Sequence, residues 1–520
     1  MNGIGGRDRR REGTMDRRAF LRRAALGAAA LAAPRAATAE PPPASAASAA
    51  GRPNVLVFVA DDLSWAHTGF AGGPFVRTPN FDRVAREGAY FENAFSSAPI
   101  CTPTRGSLLT GLSPWQLEDG MQLLGTLPAR FETYPAALEQ AGYFAGFTGK
   151  GWGPGNWRAS GRTADPAGTP FYSEMLAEAP TTGMRKNDLP GNFRAFLEAR
   201  PAGRPFCFWY GSFEPHVPYE AGSGIRAGLR PETVVVPPFL PDTPEVRSDL
   251  LDYALEIQYL DAQLGACLDA LEKAGELDRT LIVVVGDNGL PFPAAKHTCY
   301  EYGVHVPLAL RWGARIPAGR RVTEPVSTPD LTATIYAAAG VTPARPLAGA
   351  DLVPGLVAPR GGRCLPDREF VVLAHERGNL CREGDVGYPI RAIRGARHLY
   401  IRNYAPDRWP CGDPDQYGDV DPIPTKQLLI DRRDDPAIRP FFERAMGKRP
   451  VEELYDVVDD PACLKNLAGD PARRALMDAL REKMESRLKA DGDWRVLGEG
   501  DRYERIPVAT GRRPAEKRNE

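Results

Sequence analysis

The sequence predicts a large, mixed but mostly parallel sheet flanked by helices, followed by a smaller α+β unit with an antiparallel sheet. Three observations carry this. Residues 54–60 form an unbroken apolar, β-branched run that ends at Asp61-Asp62, the pattern of a central strand buried on both faces. Strand and helix patterns then alternate as far as residue 339, as parallel strands joined by crossover helices require. After about residue 365 the pattern changes to short strands joined by a tight turn, then a polar terminal helix. Composition agrees: 520 residues, 43% hydrophobic and 25% charged, suit one large domain and a smaller one. The 53 glycines and 50 prolines fit loop-rich α/β architecture and exclude a coiled coil or helical solenoid. Basic and acidic side chains number 65 and 66, so no global electrostatic footprint for nucleic acid exists.

The elements follow in order. Asp16-Arg17-Arg18-Ala19-Phe20-Leu21-Arg22, the small apolar run 24–33 and Ala37-Thr38-Ala39 resemble a twin-arginine export signal over residues 1–39, with Met15 an alternative start. The Pro, Ala and Ser of 40–52 read as a linker. A helix starts at Thr78-Pro79-Asn80, has Phe81, Val84 and Ala85 on its apolar face and stops at Gly88. Strands are expected at 143–147, 206–210, 281–285 and 307–310, and helices at 135–141, 191–199, 244–274 and 329–339. In the smaller unit, 388–394 and 398–404 form a hairpin around Gly395-Ala396, followed by a strand at 454–456 and a helix at 470–489. The expected boundaries are 53–365 for the large domain, 366–505 for the small one and 506–520 for a charged tail. No run elsewhere reaches the ~18 apolar residues of a membrane span, so an exported protein, periplasmic or secreted, is expected.

Two acidic elements occupy equivalent positions. Asp61-Asp62 and Asp287-Asn288 each follow a buried strand, where ligands of open α/β sheets gather. Three carboxylates and an amide oxygen suit a hard cation, Ca²⁺ or Mg²⁺, and not a thiolate-seeking metal. Of the eight cysteines, none forms a C-x-x-C pair. Cys207 and Cys267 lie in apolar segments and read as buried thiols.

Cys101-Thr102-Pro103-Thr104-Arg105-Gly106, followed by Ser107-Leu108-Leu109-Thr110-Gly111, resembles the nucleophile motif C-x-P-x-R of the sulfatase family. The resemblance continues through Thr148-Gly149-Lys150, Glu214-Pro215-His216 and Asp287-Asn288-Gly289 with Lys296 downstream. The stretch from Asp287 to Pro293, the segment from Gly387 to Arg394, and Glu453 to Asp456 with Asn466 resemble the family's N-sulfoglucosamine sulfohydrolase branch.

That resemblance implies an alkaline-phosphatase-like sulfatase fold, with 53–365 as the catalytic domain. It implies that a formylglycine-generating enzyme oxidises Cys101 to formylglycine before export by the twin-arginine machinery. Its hydrate carries two geminal hydroxyls, one to attack sulfur and one to expel sulfate, so one hard step becomes two. Asp61, Asp62, Cys101, Asp287 and Asn288 would hold the metal. Arg105 would brace the hydrate, Lys150 and Lys296 would clamp the sulfuryl group, and His216 would serve as acid. The family's Lys-x-His is here Lys150-Gly151-Trp152, and an indole cannot shuttle protons. His297 or His67 could replace that contact, while Trp152 and Trp157 form either an aromatic wall or core packing. Trp152, Glu214, His375 and Glu376 are expected to bind substrate.

The expected function is hydrolysis of sulfate from a sulfated saccharide, preferably the N-sulfate of glucosamine in heparin-type glycans. A carbohydrate O-sulfatase with the same machinery is the alternative. A phosphohydrolase and a non-catalytic glycan-binding protein are further readings, the first opposed by only six histidines. Monomer and homodimer both stay open.

Overall fold

The apolar run 54–60 is the central strand its composition requires. Asn54–Ala60 is buried throughout and pairs in parallel with Phe206–Gly211 on one side and Thr280–Gly286 on the other. This computed structural model describes residues 51–509 except 314, 360–362 and 415. The expected leader 1–39, most of the 40–52 linker and the end of the tail lie outside the described residues.

Eight strands form the large sheet in the order Thr169–Pro170, Phe144–Gly149, Phe206–Gly211, Asn54–Ala60, Thr280–Gly286, Leu308–Arg311, Ala89–Phe91, Arg320–Val322. All neighbours are parallel except Leu308–Arg311, which runs antiparallel to both its partners. Alternation along the central strand builds two cores. Leu56, Phe58 and Ala60 pack under helices Pro79–Glu87, Leu189–Ala199 and Pro244–Lys273. Val55, Val57 and Val59 pack under Cys101–Thr110, Tyr134–Gln140 and Thr328–Ala339.

A second sheet is antiparallel, in the order Phe370–His375, Ile390–Gly395, His398–Asn403, Glu452–Asp456. The hairpin is the expected one, but its first strand starts at Ile390, after Pro389, which has no N–H for the ladder. Strand Phe370–His375 was not expected from the sequence. One face of this sheet packs on Phe95, Tyr300 and Val304 from the large sheet's loops. The other packs on Met477, Met484 and Leu488 of the terminal helix Arg474–Ala490. All eight cysteines are free and buried, Cys207 and Cys267 among them.

Candidate functional site

Register places the chemistry. Ala60 pairs with Gly286, Val59 with Gly211, and Gly211 with Gly149, so four neighbouring strands end together. Asp61-Asp62, Asp287-Asn288, Lys150 and the loop from Ser212 to His216 therefore leave the sheet at one edge. Glycine is required there. A Cβ on Gly149, whose φ is +71°, would stand 1.9 Å from the Gly211 carbonyl oxygen, and one on Gly211 would stand 1.8 Å from that of Lys150. The helix Cys101–Thr110, buried at every position, begins at the cysteine itself, two residues earlier than Pro103 suggests. Its first-turn N–H groups stand beside the strand ends.

Three cations and three carboxylates interlock. Lys150 Nζ donates to both Asp61 oxygens at 2.6 Å. Arg105, wholly buried, donates from Nε to Asp287 Oδ2 at 2.7 Å and from Nη1 to the Lys150 carbonyl at 2.7 Å; its Nη2 lies 3.4 Å from Asp61. Asp287 Oδ1 accepts the Asp62 backbone N–H at 3.0 Å, holding Asp62 at a left-handed φ of 71°. Asn288 Nδ2 donates to Asp62 Oδ1 at 2.6 Å, and Lys296 Nζ to Asp62 Oδ2 at 2.7 Å. His216 Nδ1 bonds the Val217 carbonyl at 2.6 Å, while its Nε2 lies 3.8 Å from Asp62.

Burial alone would raise the Asp61 pKa, but Lys150, Arg105 and His216 outweigh it and hold the group well below the carboxylate range. Burial and the neighbouring Asp61 push Asp287 upward against Arg105 and Lys150. Burial opposes charge on Lys150 too, yet Asp61 raises its pKa overall. Cys101 Sγ lies within 4.8 Å of Asp61 and Asp287 oxygens, and likewise of Asp62 and His216. Burial pushes its thiol up to about 12, with the lysines and the carboxylates pulling in opposite directions. An unmodified thiol here is neutral at physiological pH and a poor nucleophile.

Asp61, Lys150, Trp152, Arg185, Phe213, Glu214, His216 and Glu256 line a cavity of about 380 Å³, within the range of small-ligand pockets. Trp152 is 6% exposed and belongs to the core as well as the cavity wall, with its Nε1 unpartnered among the described residues. Trp157 does not line the cavity and stacks under Arg158. Glu214 accepts from Ser212 Oγ at 2.6 Å and Gln263 Nε2 at 2.9 Å.

His375 and Glu376 do not line the cavity. Glu376 is held by Arg391 at 2.7 Å and by Arg495, a buried double ion pair. His375 packs edge-on against His297, and burial takes its pKa down to about 3. Neither His297 nor His67 lines the cavity: His297 lies 3.7 Å from Asp419, and His67 sits among Phe75 and Tyr253 with its pKa lowered by burial to about 4. Sequence reasoning missed Asp421, which takes a second Lys296 hydrogen bond at 2.9 Å, and Tyr253, whose hydroxyl donates to the Asp62 carbonyl at 3.2 Å. It also missed Arg185, stacked on Phe213, and Glu256.

The donor set fits a hard divalent cation. Asn288 Oδ1 is buried and accepts no hydrogen bond among the described residues. An orphan acceptor beside three carboxylates is satisfied by such an ion bound to all four oxygens.

Comparison with known proteins places the chain among relatives. The family profile Sulfatase matches residues 53–341. Human N-sulphoglucosamine sulphohydrolase is 30% identical over 492 residues, covering 83% of this chain and 89% of the relative. An ulvan-active sulfatase of Formosa agariphila is 26% identical over 490 residues, covering 86% and 77%. Among solved structures, an enzyme in complex with its substrate D-glucosamine-2-N,6-O-disulfate superposes with a TM-score of 0.61 at 20% identity, covering 85% of this chain and 98% of that one.

Proposed function

The chain belongs to the sulfatase family, a hydrolase of sulfate esters and sulfamates acting on sulfated sugars, and from that premise we propose that it removes the N-sulfate of glucosamine in a heparin-type saccharide. The observation that carries the reading is the convergence of Asp61, Asp62, Asp287 and His216 around Cys101, with Asp61 and His216 also lining a cavity of about 380 Å³. The 30% identity to a sulfohydrolase of that name favours the N-sulfate.

Cys101, oxidised to formylglycine, would supply a hydrate, one hydroxyl of which attacks sulfur as the S–N bond breaks, while the other collapses to the aldehyde and breaks the C–O bond to release sulfate. Asp61, Asp62, Asp287 and Asn288 would hold a divalent ion, Ca²⁺ or Mg²⁺, which would supply charge neutralisation and lower a hydroxyl pKa. The protein's own groups do the rest. Lys150 and Lys296 present two ammonium groups to the sulfuryl oxygens, where negative charge grows during transfer. Arg105 holds Asp61 and Asp287 in place from the helix that carries Cys101, so nucleophile and carboxylates share one rigid frame. His216 Nδ1 donates to the Val217 carbonyl, so that the doubly protonated ring would deliver the Nε2 proton to the departing amine and remain as the neutral Nδ1–H tautomer. Trp152 and Glu214 line the wall against which the sugar ring lies.

Sulfate release from N-sulfoglucosamine and from 6-O-sulfoglucosamine tests the reading. Turnover of the N-sulfate is expected. Release from the O-sulfated sugar alone would replace the proposal with the O-sulfatase reading. The mass of the tryptic peptide 87–105 tests the modification: formylglycine is lighter than cysteine, and a natively produced thiol form would sink the mechanism.

A further inference from the structure

The long helix Pro244–Lys273 carries four acidic residues that are buried on its inner side, and three of them hold a neighbouring element. Asp249 accepts from the Thr425 backbone N–H at 2.9 Å and hydroxyl at 2.6 Å. Asp252 accepts from the Gly222 and Gly224 N–H groups, both at 2.8 Å. Asp261 accepts from the Asn80 and Phe81 N–H groups at 3.0 and 2.8 Å. Each caps or docks a neighbouring element.

Glu256 differs. It is 3% exposed, and no group among the described residues hydrogen-bonds its carboxyl. It lines the cavity beside Asp61, Lys150, Glu214 and His216. Helical spacing explains its direction: Tyr253, Glu256, Leu260 and Gln263 share one face, of which Tyr253 bonds the Asp62 carbonyl and Gln263 bonds Glu214. The Glu256 carboxyl opens onto the cavity without a hydrogen bond from the described residues, and such a group is expected to find its partner in a ligand.

Resting on the reading above, we propose that Glu256 forms a specificity-determining subsite that binds a ring hydroxyl of the sugar carrying the sulfate. The carboxyl's charge state supports a hydroxyl over an ammonium group. Burial, with Glu214 and Asp252 nearby, raises its pKa to about 9, so at neutral pH it offers one O–H donor and one carbonyl acceptor. A hydroxyl offers the complementary pair, whereas an ammonium group would need the ionised carboxylate.

Three proteins test this: wild type, Glu256→Gln, which keeps a donor and an acceptor, and Glu256→Leu, which keeps neither. KM for the sugar sulfate the enzyme turns over, N- or O-linked, is compared with the inhibition constant of inorganic sulfate. The Leu variant is expected to raise KM about 10- to 100-fold and leave inhibition by sulfate within about twofold, while the Gln variant stays near wild type. On monodeoxy sugars, wild type should lose the same factor for one hydroxyl position, and the Leu variant should lose nothing further there. Equal changes in sugar KM and sulfate inhibition, or no change in either, would overturn the subsite. A binding arm separates the two proposals: the thermal shift produced by free glucosamine on the unmodified chain. Stabilisation of wild type but not of the Leu variant upholds the subsite even if no sulfated sugar is turned over. Absence of any shift in wild type refutes it.

Discussion

At residue 101, a thiol with a pKa near 12 is ionised at pH 7 in only about one molecule in 10⁵. Formylglycine keeps the cysteine backbone and Cβ and exchanges only the terminal sulfur for oxygen, so packing around the buried position changes little. Activity and stability should therefore separate. Protein from a host lacking a formylglycine-generating enzyme is expected to release no sulfate, yet to melt within about 2 °C of co-expressed, modified protein. Parallel sulfate assays, thermal melts and peptide masses check this. Full activity from protein whose 87–105 peptide retains the thiol would refute it. Two residues downstream of Lys150, Trp152 replaces the histidine usual in the family and packs against the nucleophile's helix, its Nε1 3.4 Å from where a Cβ on Gly106 would lie. Among the described residues His216 is then the histidine that lines the cavity.

At the scale of elements, the site is completed by a segment that no motif marks. Asp421 precedes the helix Pro424–Asp431, which docks on the long helix through Thr425 and Asp249, and so reaches Lys296 from outside the large sheet. Lys296 is held between Asp62 and Asp421, and its pKa lies well above the ordinary value because both carboxylates overcome burial. Changing Asp421→Asn should free the ammonium group to turn toward Asp62 alone. The expected result is a kcat lowered about tenfold and weaker inhibition by inorganic sulfate, with Asp421→Glu recovering part of both. Unchanged kcat and unchanged inhibition would show that Asp421 serves the fold only. Asp61, Asp62, Asp287, Asn288 and Lys150 were legible in the sequence because each follows an apolar strand, and strand ends of a parallel sheet share an edge. Asp421 was not, since a loop acid among Asp413 and Asp419 has no period to place it. Glu376 was misread for a related reason: its partners Arg391 and Arg495 are far along the chain, and their pairing depends on how the second sheet folds. Glu256 falls at an inward helical position, but Asp249, Asp252 and Asp261 do too, and only the tertiary contacts separate the unpartnered acid from the satisfied ones.

For the whole molecule, buried titratable groups tilt stability in two directions. His67 and His375, with pKa values lowered by burial to about 4 and about 3, support folding above their ordinary 6.5 and withdraw that support as pH falls. Glu301 acts in the same sense lower down. Burial would raise its pKa, but Arg394 and His305 lower it to about 2, so its contribution is present above 4.5 and lost as pH falls toward 2. Glu256 has the opposite sign. Its folded pKa, raised to about 9, stabilises the fold below 4.5, and that stabilisation drains away as pH rises toward 9. Asp249, raised to about 6, has finished titrating by then. The buried thiols, all raised above 9.0, add the same slope only near that value and beyond. Between pH 6.5 and 8 the histidines, Asp249 and Asp261 finish titrating in wild type and in Glu256→Leu alike, so the difference between the two proteins isolates Glu256. Relative to Glu256→Leu, wild type is expected to lose about 2 kcal/mol more of its urea stability across that window. The variant should also be the more stable protein at pH 8, because a carboxyl retained without a partner serves binding at the expense of the fold. Parallel pH slopes for the two proteins would mean that Glu256 is already satisfied in the free enzyme, and would remove the physical reason for a ligand hydroxyl there.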